Sequence, residues 1–276
     1  MSFFICPICN EKLNKESNSF VCSKNHSFDI AKQGYVNLLP VNKRHSDDPG
    51  DTKEMVLSRR EFLESGKYQC FSDKLNELVL KYFGNSQKIS ILDCGCGEGY
   101  YDGRLMEKLD KLKINYSLAG FDISKNAVRF SAGKYKKGMF AVASCFNMPV
   151  ADESFDLAIN IFAPMVDKEL YRVLKNDGYF IYAVPGKRHL MGLKEVLYEN
   201  TYENEEKHTE YDGFEFVKRV SVKDIVNASG DNLINLFKMT PYYFKTEKEA
   251  TNRLLSVGEI KTEIHFDFLI YKKVSC

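Results

Sequence analysis

The stretch Leu92-Asp93-Cys94-Gly95-Cys96-Gly97-Glu98-Gly99-Tyr100 decides how the rest of the chain is read. Its three glycines follow a short apolar run, Ile89-Ser90-Ile91-Leu92-Asp93-Cys94, whose length and branched residues predict a buried strand. Residues without a Cβ allow a tight turn and a close approach of backbone to a bound nucleotide. The spacing is G-x-G-x-G with an aspartate two positions before the first glycine, not the G-x-G-x-x-G of a dinucleotide site.

Outward from this turn, apolar runs alternate with helical patterns. Leu75, Leu78, Val79 and Tyr82 have helical spacing before it, and strand-like runs follow at residues 116–121, 139–143, 155–161 and 179–184. Such runs suit parallel strands covered on both faces. Two later candidates are residues 214–222 and 262–271, the second alternating Ile264, Phe266, Phe268 and Ile270. The expected fold is α/β: an open, doubly wound, mostly parallel, Rossmann-like sheet.

The glycine pattern and its aspartate resemble the S-adenosylmethionine site of class I methyltransferases, in which the turn packs beneath the methionine moiety. Asp122 ends the next expected strand, where its carboxylate can accept both ribose hydroxyls. Residues 144–149 stand where that class lays adenine against apolar side chains. Asp93, Gly95, Gly97, Gly99 and Asp122 are therefore candidate cofactor contacts.

The 276 residues are 44% hydrophobic and 28% charged, a globular composition that excludes wholesale disorder. No apolar run approaches the ~20 residues needed to cross a bilayer, and residues 1–6 lack the start of a signal peptide. The expectation is a soluble, cytoplasmic protein with no membrane partner. Lys plus Arg number 39 against 38 Asp plus Glu, which excludes a grip on nucleic acid through bulk positive charge but allows a local basic face.

Eight cysteines are clustered, unlike a disulfide framework. Cys6, Cys9, Cys22 and His26 form C-x2-C-x12-C-x3-H, a set of four ligands suited to tetrahedral zinc. With all four positions filled by protein, one ion of structural rather than catalytic zinc is expected. A segment of ~40 residues buries little core, so the metal would supply much of its folding free energy. Lys12, Lys15, Lys24 and Lys32, with Phe20, Phe28 and Tyr35, form either a basic aromatic surface for RNA or solvated lysines over a small core.

The division expected is a zinc-binding, RNA-recognition module at 1–42 and a methyltransferase domain at 43–276, with 43–80 a helical linker region. His45-Ser46-Asp47-Asp48-Pro49-Gly50-Asp51 reads as a turn-rich connector, after which Asp51 or Thr52 caps a helix carrying Arg59 and Arg60. Arg59, Arg60, Lys187 and Arg188, with Lys12 and Lys24, are candidate RNA phosphate contacts.

Together these segments resemble the ribosomal RNA guanine-N1 methyltransferases of the RlmA type and their macrolide-resistance relatives. The resemblance rests on Cys6-Pro7-Ile8-Cys9, residues 31–40, Asp48-Pro49-Gly50-Asp51 and Ser58-Arg59-Arg60. It rests equally on residues 93–101, Pro185-Gly186-Lys187-Arg188-His189-Leu190 and Met239-Thr240-Pro241. It implies a homodimer that receives a 23S rRNA hairpin and methylates N1 of a guanine in its loop. Cofactor contacts implied by the match are Tyr68, Gly97, Glu98 and His189; His189 reads alternatively as an exposed loop histidine. The chain departs from the family at Cys94, Asp102 and Gly103, and Asp102 adds a charge at the cofactor pocket's rim. No general base is identified; Asp156 and Asn160 are candidates to touch the base, or ordinary strand-end polar groups. Two other readings are a class I methyltransferase acting on a small molecule and a zinc-containing RNA-binding protein without catalysis.

Overall fold

A computed structural model describes residues 3–40, 49–207 and 209–274, so His45 to Asp48 of the expected connector lie outside the described residues. Near the N-terminus, β1 (Asn14–Glu16), β2 (Ser19–Val21) and β3 (Ser27–Asp29) form a small antiparallel sheet in that order. The next strand, β4 (Val36–Asn37), leaves that sheet for the main one.

Two helices precede the glycine turn: α1 (Lys53–Glu64) and α2 (Gln69–Phe83). Thr52 is the N-cap of α1, its hydroxyl accepting the Met55 N–H at 3.3 Å, one of the two caps expected. The alternation then runs β5 (Lys88–Cys94), α3 (Tyr100–Lys111), β6 (Asn115–Asp122), α4 (Lys125–Lys134), β7 (Met139–Val142) and β8 (Phe155–Ile161). It continues with α5 (Asp167–Val173), β9 (Leu174–Pro185) and α6 (Met191–Leu197). A long hairpin of β10 (Phe214–Ser229) and β11 (Glu259–Lys273) carries α7 (Gly230–Lys238), α8 (Tyr242–Lys245) and α9 (Lys248–Val257) at its tip.

The main sheet has the order β10-β11-β9-β8-β5-β6-β7-β4. Strands β4 to β9 pair in parallel, and only β11 with its neighbours β9 and β10 is antiparallel. Every expected strand is present, and β10 runs past residue 222 because its partner β11 continues to Glu259. Lys223, Asp224 and Ile225 face outward there, which hides the strand from a reading based on apolar runs, while Val226 and Ala228 are buried.

The two faces of the sheet carry separate cores. Ile89, Ile91, Phe140 and Phe266 pack beneath the helices on one side. On the other, Leu92, Phe121 and Phe180 share a cluster with Phe4, Leu13, Val36 and Leu38. The N-terminal segment is therefore seated on the sheet. Ile5 N–H donates to Pro149 O at 2.9 Å and Leu38 N–H to Val142 O at 2.9 Å. The Phe3 and Phe155 rings lie 4.6 Å apart. The metal ligands are thus not alone in supporting a segment too small to build its own core.

Candidate functional site

Strand order reverses at β5: the chain leaves it toward β6 and β7, then crosses to β8 on the other side. In open α/β sheets ligands bind outside the carboxyl ends of the strands at such a point. The glycine turn closes one side of this crevice and the segment after β8 closes the other. Gly95, Gly97 and Gly99 have φ values of 98°, 55° and 84°, the left-handed region that favours glycine. A Cβ on Gly95 would stand 2.4 Å from that of Ala163, and one on Gly99 would stand 2.9 Å from Ser131. At Gly97 a Cβ would meet no protein atom within 4 Å. The first and third glycines are required by protein packing, whereas the second fronts open space.

Asp122 orients the turn, its Oδ2 accepting the Gly97 N–H at 3.0 Å and its Oδ1 the Ser124 N–H at 2.8 Å. Each oxygen keeps a further lone pair for a ribose hydroxyl. Asp93 and Asp102 are both 2% exposed, each with one carboxylate oxygen lacking a hydrogen-bond partner. Burial raises both carboxyls above the usual range, Asp102 the further because Asp93 stands beside it. The two carboxyls are hydrogen-bonded neighbours in a buried site, where charge on both at once is disfavoured. Asp102 is thus no rim charge but the neighbour of the turn's own aspartate. Glu98 is buried too; burial raises its carboxyl, and Arg59 opposes the rise.

Tyr68 is the N-cap residue of α2 and is fully enclosed, and its hydroxyl has no partner. Its ring meets Phe62 at 5.1 Å and Phe266 at 4.9 Å, edge-on. His189 follows β9 and packs on Phe266 at 4.5 Å, so it is half-buried in the site and not an open loop residue. Its Nδ1 accepts the His265 N–H at 3.3 Å. Burial first, then the Lys194 and His265 charges, lower its pKa to about 3. The ring is neutral at physiological pH, with Nε2–H as its free donor.

Three residues given other roles in the sequence reading take definite places in the structure. Arg59, expected on RNA phosphates, pairs with Asp51, and its NH2 group donates to Met239 O at 3.5 Å. Burial works against its charge, but Asp51, Glu98 and Asp122 hold the guanidinium above its usual range. It faces the acidic groups around the glycine turn. Asp156 is at the opposite end of β8: it accepts from Ser90 N–H at 2.7 Å and pairs with Lys175 at 2.8 Å. It braces the sheet away from the carboxyl edge, which is the second of the two readings given for it, an ordinary strand-end polar group. Asn160 does lie at that edge, bonded to Ala163 N–H and Pro164 O, both at 3.1 Å.

The remaining basic candidates divide. Lys187 pairs with Glu206 at 3.1 Å, and Arg188 with Glu263 at 2.6 Å and Glu203 at 3.5 Å. Arg60 pairs with Glu64 at 3.1 Å and lies 5.4 Å from the Phe130 ring centre, in a groove also lined by Lys53, Arg129 and Lys134. Lys12 and Lys24 are exposed on the N-terminal segment.

In that segment the Sγ atoms of Cys6, Cys9 and Cys22 and a nitrogen of His26 all lie within 4.8 Å of one another. Cys9 and Cys22 sulfurs are 3.6 Å apart, and His26 Nδ1 is 3.5 Å from Cys6 Sγ and 3.4 Å from Cys22 Sγ. Zinc–sulfur bonds of about 2.3 Å place the corners of a tetrahedron about 3.7 Å apart, so the set fits zinc. Backbone N–H groups of Ile8 and Cys9 point at Cys6, and those of Lys24 and His26 at Cys22. Burial opposes the Cys22 thiolate, yet these donors bring its pKa to about 7. Open space at Gly97, beside the Asp122 carboxylate, and the buried, unpartnered Asp93 Oδ1 and Tyr68 Oη fit S-adenosylmethionine.

Fold and site define a class I methyltransferase that uses S-adenosylmethionine and carries a structural zinc. Comparison with known proteins is specific. Residues 4–47 match the N-terminal zinc-ribbon family of RlmA, and residues 85–243 match a methyltransferase domain family. The Bacillus subtilis protein named "Putative 23S rRNA (guanine-N(1)-)-methyltransferase YxjB" is 28% identical over 99% of this chain and 98% of its own. A Micromonospora griseorubida protein named "Putative 23S rRNA (guanine-N(1)-)-methyltransferase" is 33% identical over 70% of this chain and 68% of its own. The Streptomyces fradiae 23S rRNA (guanine(748)-N(1))-methyltransferase is 32% identical over 70% and 66%. The chain belongs to the 23S rRNA (guanine-N1)-methyltransferase family.

Proposed function

We propose that this protein transfers the methyl group of S-adenosylmethionine to N1 of a guanine in a hairpin loop of 23S rRNA. The observation that carries the reading is the open space at Gly97, whose N–H is held by Asp122, in a chain that also leaves buried Asp93 Oδ1 and Tyr68 Oη without partners and gathers the ligands of a zinc ribbon. Tyr68, Asp93, Gly95, Gly97, Glu98, Gly99, Asp122 and His189 hold the cofactor, and Cys6, Cys9, Cys22 and His26 hold the zinc. Bound there, S-adenosylmethionine supplies an electrophilic methyl on a sulfonium.

The protein's own residues orient and exclude water. Asp122, fixed by two backbone amides, presents its free lone pairs to the ribose. The Asp93–Asp102 pair keeps net negative charge beneath a cationic ligand while sharing one proton. Alignment of acceptor and methyl supplies much of the rate. Guanine N1 carries a proton at neutral pH that must leave as the new bond forms, and the base must leave its stack to enter the crevice. For the RNA backbone, the groove that gathers Lys53, Arg60, Arg129 and Lys134 around the single carboxylate of Glu64, with exposed Lys12 and Lys24, carries more uncompensated charge than Lys187 and Arg188, which face Glu206, Glu203 and Glu263.

A homodimer and a cytoplasmic location are supported by the family resemblance; among the described residues no helix is long and apolar enough to cross a membrane. A sizing column on purified protein tests the pairing. For the activity, methyl-labelled S-adenosylmethionine is offered with 23S rRNA or with a metabolite extract. Label in rRNA, mapped by mass to guanine N1, is expected; label in the small-molecule fraction alone overturns the reading. Binding of RNA without S-adenosylhomocysteine, measured by calorimetry, would mark a protein without catalysis.

A further inference from the structure

Phe162 follows directly on β8 in a conformation that its side chain does not favour. Its φ is 60°, in the left-handed region, where a bulky aromatic residue is a genuine outlier. Such strain persists only when surrounding structure imposes it, and it clusters at ligand sites. Here the imposing contacts are visible. Asn160, two residues before the bend, ties down the chain after it, accepting the Ala163 N–H and donating to Pro164 O. Ala163 lies so close to Gly95 that no Cβ fits between them. Phe162 N–H donates to Ala183 O at 3.2 Å, anchoring the bend to β9.

The result is a large apolar ring held 45% exposed at the carboxyl edge of the sheet. Behind it stand Phe71 and Phe266, with ring centres at 5.7 and 5.6 Å and tilts of 31° and 38°. Phe266 also carries Tyr68 and His189 on its other contacts. Phe162 is thus the outermost ring of the aromatic wall that includes two of the proposed cofactor residues. The residue after it, Ala163, packs directly on Gly95 of the glycine turn. A solvent-exposed phenylalanine gains nothing from water, and a backbone strained to display one makes sense if a flat apolar ligand covers it.

We infer that the exposed face of Phe162 is the stacking platform for the unstacked acceptor guanine, with Asn160 as the positioning residue that holds the bend. The inference rests on the rRNA reading above and assigns the acceptor side of the crevice, as the glycine turn takes the cofactor side. An aromatic ring suits any nucleobase, since each has a π face, so the platform holds the base and leaves selection of guanine to polar groups.

The test compares Phe162→Tyr, Phe162→Leu and Phe162→Ala in methyl transfer to 23S rRNA, with S-adenosylhomocysteine affinity by calorimetry and thermal melts on each. Tyr is expected to stay within about threefold of the parent in kcat/KM. Leu and Ala should lose roughly ten- to a hundredfold, with S-adenosylhomocysteine affinity unchanged. Asn160→Ala should show the same loss, and its φ-relieved bend should not be rescued by Phe162→Tyr. If Leu performs as well as Tyr, the ring is only packing and the proposal fails. Loss of S-adenosylhomocysteine binding in step with activity also overturns it, because the ring would then serve the cofactor side. If the unaltered protein labels no rRNA, the functional reading falls and this inference with it, an outcome separate from the variant comparison.

Discussion

The zinc cluster and the glycine turn both position a small ligand, yet they are built in opposite ways. In the first, four side chains from two short loops converge, and three-residue strands with mostly exposed faces can do little to hold them. In the second, backbone at the end of a buried parallel strand does the positioning, and the side chains around it follow. Metal bonds can substitute for a hydrophobic core; a turn that must pass close to a cofactor needs a core behind it to hold its strained φ values. The first region should therefore respond most to loss of one ligand, the second to addition of one methyl group.

The largest effect is expected on removing the metal. Cys22→Ser, or a strong chelator, should abolish zinc content and open residues 3–40 to protease, since binding and folding are linked in such sites. Because Phe4 and Leu38 complete one face of the main sheet, the melting temperature should fall by roughly 10 °C or more as well. An unchanged melt with zinc gone would show that the sheet alone holds the segment, and the contrast would collapse.

Two glycine variants sharpen the second region. Gly95→Ala adds both a left-handed strain and a contact at 2.4 Å with Ala163, so about 3 kcal/mol or more of stability should be lost. Gly97→Ala adds only the strain, about 1 kcal/mol, because no protein atom is within reach. Its S-adenosylhomocysteine affinity should nevertheless fall at least tenfold, which calorimetry beside thermal melts will show. Equal affinity in Gly97→Ala and the parent would remove the cofactor from that cradle.

The smallest effect concerns the carboxyl pair. Both groups have folded pKa values raised by burial, so the stability they favour is fully present below the ordinary aspartate range and is lost as pH rises through the folded values. Asp102→Asn keeps a donor toward Asp93 without the titration. Its melting temperature should match the parent near pH 4 and exceed it by a few degrees at pH 8, a gain of about 1 kcal/mol. A parallel pH profile in both proteins would mean the two carboxyls do not share a proton.

Much of the fold was legible because it is written in local patterns. The runs at β5, β6, β8 and β9 are apolar enough to be buried on both faces, and the cap at Thr52 depends on neighbours in sequence. The second half of β10 was not, because residues 223–225 are solvent-facing and only pairing with β11 makes them strand. Asp156 kept two readings for a related reason: a strand's two ends look alike until its direction relative to the site is known. Asp102 was taken for a rim charge since helical spacing alone does not say which face of α3 turns inward.

From sequence alone came the glycine turn, its two aspartates and the C-x2-C-x12-C-x3-H ligand set, all of which rest on residue type and short spacing. Tertiary structure alone decided that Arg59 turns toward Asp51, Glu98 and Asp122, that the zinc segment docks on the sheet, and that Phe162 is bent with its ring exposed. The division has one cause. Spacing within a few residues is set by backbone geometry common to all chains, whereas contacts across a hundred residues depend on how packed elements direct their side chains, which no local pattern records.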